Sequence, residues 1–393
     1  ITPFVYGHFN VWPLTVDPAS PIGGAIDWGR AGTVIGEGYP SLGSYDLLPS
    51  EIIGNFDPAT QVIQLNHVND SGLGYFNNLG IDTEAVPPVS SSLVYVCTSG
   101  WRIGLPCEPE ICRGGANDGL DCIDNTECPD GVCNVQGLGR DCPAGGVCAP
   151  SSDNLSSFIR LDPAVANLYD DNYTAIEVWV GGGRGQTGLM LHGNMGDWVG
   201  LLNQGSFKTA IADSDTHRTA EVPAGAPRTF VASSTDVPGD ISPAELALNV
   251  DAGRAMGSNG LFMLVNLVGD ASATAGHGLA DLLTVPATGG RGTIEVHVEA
   301  PTWAQFDTID VYLNTAPECE TGITFMGVAD RRCDATPTAT YNAGVDFMVN
   351  TTVGVSGSGQ RLEADLNIPV PVSEDTWVGP LYTTDAADEL TPL

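Results

Sequence analysis

The chain has 393 residues, 42% of them hydrophobic and only 16% charged, which excludes a disordered chain and leaves room for two or three domains. Its net charge of −34 comes from 48 acidic residues set against only 14 basic ones, of which Lys208 is the sole lysine. Such a field repels phosphate backbones and excludes nucleic acid as a natural partner. The surplus of carboxylates reads as a solubility adaptation of an exported protein. The other reading, cation binding by surface carboxylates, lacks an EF-hand-like spacing.

The 49 glycines and 27 prolines favour turns and short strands. No apolar run is long enough to span a membrane. The chain opens with Ile1 and carries no signal peptide, so a start removed by processing or lying outside this sequence is expected. Of ten cysteines, eight lie between Cys97 and Cys148, and the others are Cys319 and Cys333. That uneven density reads as disulfides formed in an oxidising compartment, so the expected location is extracellular, periplasmic or at the cell surface.

From Ile1 to about Thr98, strand and helix signals mix. VYGHFNVWPL reads as a strand and its exit loop, and Ser44 to Ile53 as a short helix. VIQLNH, ending at His67, is a nearly continuous apolar run of the kind found in buried parallel strands. Cys97 to Pro150 has almost no aliphatic residues, so disulfides must hold it, and it reads as an insertion in a loop of the main domain. Zinc is the alternative, but C-x9-C-x5-C-x4-C does not match the paired C-x2-C pattern.

The mixed pattern resumes after Ser156. AIEVWVGG is a strand, GDWVGLLNQG a short helix closed by glycine, and FKTAIADSDTH a strand with a polar exit. SPAELALNVDAGR opens with Ser242, a proline and then Glu245, the signature of a capping box. Strands alternating with helices imply an α/β domain with a largely parallel sheet or barrel. Beyond Gly257 the segments GTIEVHVEAP, DTIDVYLN, VDFMVNTTVGV and RLEADLNIPVPV predict an all-β, sandwich-like domain, with Cys319 and Cys333 closing a loop within it.

In α/β folds ligands collect at strand ends, and three strand ends here carry metal-ligand residue types: His8, His67, and Asp215 with His217. Imidazole and carboxylate together suit Zn, Mn or Fe. An Asp-x-His places both side chains on one side of a strand, within reach of one centre. His192, His277 and His297 read instead as ordinary core or surface residues. Asp213 reads first as a turn cap and otherwise as a further ligand or general base. Glu177 reads as pointing to solvent or as supporting a ligand.

The series GHFNVWPL, VIQLNH, EVWVG, GDWVGLLNQG, SDTHR and PAGAPRTFV resembles the polymerase-and-histidinol-phosphatase (PHP) superfamily, in its carbaryl-hydrolase-like branch. AGRAMGSNGLF and APTW followed by DTIDVYLN are similar to the β domain of that branch, and only the Cys-rich insert stands outside the likeness. The resemblance implies residues 1–257 as the carboxyl-terminal portion of a distorted (β/α) barrel containing the 97–150 insert, then a β-sandwich-like domain over 258–393. It further implies two or three divalent metal ions, with His8, His67, Asp215 and His217 as ligands. Asp215 would also be catalytic, and Arg218 and Arg228 would hold an anionic group of a small ester substrate.

The family's His-x-His and neighbouring ligands are not found here, so a separate amino-terminal segment is an expected partner. The function implied is hydrolysis of a phosphoester, or of a carboxylic or carbamate ester, by a metal-activated water. The alternative is an extracellular structural, filament-forming or adhesive protein that self-associates on a degenerate scaffold. Sequons at Asn69, Asn154, Asn172 and Asn350 matter only if the host glycosylates exported chains.

Overall fold

A computed structural model describes residues 7–19, 23, 49–69, 74–76, 81–90, 95–97, 110–113, 121–122, 132–134, 148–150, 169–181, 187–216, 224–268, 274–276, 291–325, 328–353, 359–371 and 376–383. Two compact units divide the chain: Ile1–Tyr173 with Cys319–Arg332, and Thr174–Glu318 with Cys333–Leu393.

In the first unit, β1 (His8–Trp12) and β2 (Val62–Asn66) pair antiparallel, with His8 opposite Asn66 and Trp12 opposite Val62. A short helix, Pro49–Ile53, precedes β2 and buries Ile52 and Ile53. Four of the five residues of β2 are buried, so the strand is covered on both faces. Phe9 points inward from β1 and meets Tyr75, which packs in turn on Phe76. Short strands follow: β3 (Ile81–Asp82), β4 (Val89–Ser90), β5 (Tyr95–Cys97), β6 (Glu110–Arg113), β7 (Asp121–Cys122), β8 (Val132–Asn134) and β9 (Cys148–Pro150). β5 pairs with β9, with Cys97 opposite Cys148, and β6 pairs with β8, with Cys112 opposite Cys133.

The second unit opens with a β-helix-β crossover. β10 (Ala175–Val180) leads to the helix Thr187–Asn203, which returns to β11 (Thr209–Asp213), parallel to β10. The helix ends in a Schellman motif. Gly205 takes φ 77, its N–H reaches the Leu202 carbonyl, and the N–H of Ser206 reaches that of Leu201. β12 (Arg228–Val231) pairs antiparallel with β13 (Ala255–Ser258), and between them stands the helix Pro243–Asp251. Ser242 caps this helix, as the sequence implies. Glu245 does not reach back to the cap, however. Its carboxylate accepts from the backbone N–H and hydroxyl of Ser234, at 2.6 and 3.0 Å.

The rest of the unit is antiparallel sheet. β14 (Phe262–Val268), β15 (Thr274–Gly276), β16 (Arg291–Pro301), β21 (Asn350–Val353) and β22 (Gln360–Pro371) form five strands in the order β15-β14-β16-β22-β21. β17 (Thr308–Leu313), β20 (Ala339–Asn342) and β23 (Val378–Thr383) form three in the order β20-β17-β23. β18 (Pro317–Phe325) and β19 (Val328–Ala335) pair as a two-stranded ribbon, most of which, Cys319–Arg332, belongs to the first unit. Even-numbered residues of β16 and β22, among them Ile294, Val298, Ala364 and Ile368, share one core with Ile309 and Val311 of β17. Strict alternation along β16 and β22 leaves the odd-numbered side chains on the outer face.

These observations correct the expected distorted (β/α) barrel. Such a barrel needs parallel strands, each followed by a helix, closed in a ring. Among the described residues sheet predominates, no sheet closes, β1 and β2 run antiparallel, and β10 with β11 is a parallel pair within a βαβ unit. The long connection between β1 and β2 permits either direction, and a doubly buried antiparallel strand shows the same apolar run as a parallel one. No helix among the described residues is long and apolar enough to cross a membrane.

Candidate functional site

β1 and β2 carry one group of candidate residues. The register that sets His8 against Asn66 leaves His67 one residue beyond the strand end, beside His8. His8 Nδ1 lies 2.9 Å from His67 Nε2, and the rings meet edge to face with centroids 4.6 Å apart. His67 is buried and His8 half-buried. His67 also holds φ at 29, a left-handed backbone that non-glycine residues rarely adopt and that is often kept at functional positions. Next to it, the Gln64 amide donates to Asn66 Oδ1 at 2.9 Å.

The support beneath is aromatic. Tyr75 accepts from the backbone N–H of Asp170 at 3.0 Å. Burial pushes the Tyr169 and Tyr173 hydroxyls well above the ordinary tyrosine range, so both stay protonated, and Tyr169 donates to Asp171 at 2.7 Å.

A second group of candidate residues stands in the other unit, where β10 and β11 end. Gly181, just past β10, donates to the Asp213 carbonyl at 2.7 Å. Asp213 Oδ1 accepts the N–H of Asp215 at 3.0 Å, the turn-capping role open to it from sequence. Ser214 Oγ accepts from the N–H of Gly225 at 3.2 Å and from Thr216 Oγ1 at 2.9 Å. Thr229 from β12 donates to the Ala212 carbonyl and accepts from the Ala212 N–H, tying β12 to the end of β11. Asp215 itself is exposed, with φ 41. Glu177 does not point to solvent: it is fully buried at a β-bulge, and Asn194 from the helix donates to its carbonyl at 3.1 Å. Bulges commonly re-aim side chains next to functional sites.

The structure therefore brings His8 and His67 together and places Asp215 on a turn of the second unit. His217 and Arg218 lie outside the described residues. Arg228 is the exposed first residue of β12, its guanidinium 6.0 Å from the ring of Phe230. Sequence reading missed Gly181 and Ser214, which shape the turn around Asp215. The only signal for them was the glycine run after β10.

The donor chemistry of the imidazole pair fits a borderline divalent ion. Two nitrogens bound tetrahedrally to zinc at about 2.0–2.1 Å stand ~3.3 Å apart, wider than the observed 2.9 Å, so the rings would have to part to share an ion. The observed separation suits a hydrogen bond between neutral rings. Among the described residues no group of three or more His, Cys, Asp or Glu is arranged to hold a metal ion. Compared with models of known families, with curated proteins and with solved structures, the chain matches none.

Proposed function

We propose that His8 and His67 hold a divalent ion, Zn, Mn or Fe, and that the chain is a metal-dependent hydrolase of phosphoesters or of carboxylic or carbamate esters. The observation that carries this reading is the pair itself: two imidazoles with nitrogens 2.9 Å apart, one of them on a left-handed backbone at a strand end. A metal bound there would supply Lewis acidity and a water of lowered pKa. The chain's part is to fix the two rings. The β1–β2 register sets their spacing, and the packed Phe9 and Tyr75 hold β1 from below. Asp215, His217, Arg218 and Arg228 stay candidates for the chemistry on sequence grounds.

Metal content per chain after dialysis against metal-free buffer tests this. Tightly held transition metal in the wild type, lost in His8→Ala/His67→Ala, is the expected result. Metal-free wild type, or a double variant that keeps its metal, overturns it. Metal without turnover in an ester and phosphoester screen overturns the hydrolase half alone.

A second reading, an extracellular structural or adhesive protein, is favoured by the sheet-dominated second unit with its two facing sheets. Concentration-dependent self-association in sedimentation, with no bound metal, is the outcome that selects it.

A further inference from the structure

The outer face of the five-stranded sheet carries an ionisable cluster outside the candidate site. His297 on β16 is flanked at both ring nitrogens by carboxylates: Nδ1 is 2.7 Å from Asp365 Oδ1, and Nε2 is 3.3 Å from Glu299 Oε1. Asp365 is its register partner on β22, and Glu299 stands two residues along its own strand. Glu299 is held from its other oxygen by Arg361 at 3.0 Å, and Arg361 also pairs with Glu363.

A neutral imidazole has one N–H and one lone pair. With a carboxylate at each nitrogen, the neutral ring satisfies one and turns its lone pair on the other. The doubly protonated ring donates to both. We propose that His297 is a pH-sensitive latch between β16 and β22, closed on Asp365 and Glu299 when the ring is protonated and released from one of them when it is neutral.

The surrounding charges favour the closed form. On this face β16 presents Glu295 and Glu299, and β22 presents Asp365, Glu363 and Arg361. From β14 the register partners are Leu264, Phe262 and Asn266, and from β21 they are Asn350 and Thr352, none of them ionisable. Beyond the sheet, Phe230 stacks edge-on against Phe262 and has the Arg228 guanidinium 6.0 Å from its ring. Four carboxylates therefore face one guanidinium and one imidazole near the latch. Partial burial alone would lower the imidazole's affinity for a proton, but the hydrogen bonds and negative charges of Asp365 and Glu299 outweigh it and hold His297 above the ordinary histidine range.

The sign of the stability effect follows. A histidine whose folded pKa is raised contributes stability that is fully present below its unfolded value, about 6.5, and is lost as pH rises through the folded value. Asp365 is 84% exposed, so the contribution is screened and modest. The eleven-residue backbone register of β16 and β22 holds in either state.

The test uses the full chain. The imidazole signal of His297, assigned by its absence in His297→Gln, is titrated by NMR, and thermal midpoints are read from pH 5.5 to 8.5. The expected result is titration above the ordinary value. It comes with a wild-type midpoint that loses about 2–4 °C more across that range than His297→Gln does. Asp365→Asn keeps the shape of the latch without its charge, and should lower the titration point while the chain stays folded. A wild-type titration at or below the ordinary value, or His297→Gln with undiminished pH dependence, overturns the latch. So does an unmoved His297 in Asp365→Asn.

Discussion

At Gly181 the ends of β10 and β11 approach so closely that a methyl group has no room. A Cβ there would stand 2.7 Å from the Ser214 carbonyl oxygen, 2.8 Å from Ser214 Cα and 3.0 Å from the Ala226 oxygen. All three are backbone atoms, so relief requires the turn that carries Asp215 to move. Gly181→Ala should cost about 1–3 kcal/mol in chemical denaturation. A variant as stable as wild type would show that the turn does not press on β10. The sequence displays the glycine but not what it faces, because Ser214 reaches it only through the parallel pairing. Glu245 is a similar case. Its spacing from Ser242 predicts a capping box, yet a carboxylate on that helix turn also reaches Ser234, and two hydrogen bonds there replace one at the cap. The left-handed backbones of His67 and Asp215 had only a weak local signature: histidine and aspartate are enriched in that conformation, but neither marks it as glycine does.

Elements were legible where local chemistry decides them. The strands at Ala175–Val180 and Arg291–Pro301, and the start of the helix at Pro243, lie where alternation, apolar runs and capping residues put them. The helix Thr187–Asn203 begins nine residues before the expected Gly196, because Gly188, Gly193 and Gly196 lower its local propensity and hide the first turns. The apolar run of β2 did not disclose that its partner β1 runs antiparallel to it. The insert gives an element-scale prediction. Antiparallel partners have Cα atoms about 4.5–5.5 Å apart, inside the range a disulfide bridges. Of the many pairings eight cysteines allow, the backbone register singles out Cys97 with Cys148 and Cys112 with Cys133. Proteolysis of unreduced protein followed by mass spectrometry should recover both linked peptide pairs. Recovery of Cys97 or Cys112 linked elsewhere would reject this register as the disulfide framework.

Across the whole molecule the α/β reading failed by extension: one βαβ unit is real, but nothing in its local pattern says whether it repeats or closes. What composition does govern at this scale is charge. With 48 acidic residues against 14 basic ones, long-range repulsion among carboxylates opposes the compact state. The Debye length falls from about 30 Å at 0.01 M salt to about 8 Å at 0.15 M, so most of that repulsion is screened over this interval. The thermal midpoint near neutral pH should therefore rise with sodium chloride, the reverse of what a fold held chiefly by surface ion pairs would show. The pairs around His297 and Arg361 run the other way, since salt weakens them while it relieves the rest. Removing the latch in His297→Gln should steepen the rise at pH 5.5, where the ring is charged, and leave it unchanged at pH 8.5. A midpoint that falls with salt in the wild type would mean that local pairs outweigh the net charge, and the acidic surplus would then have to be held in specific contacts.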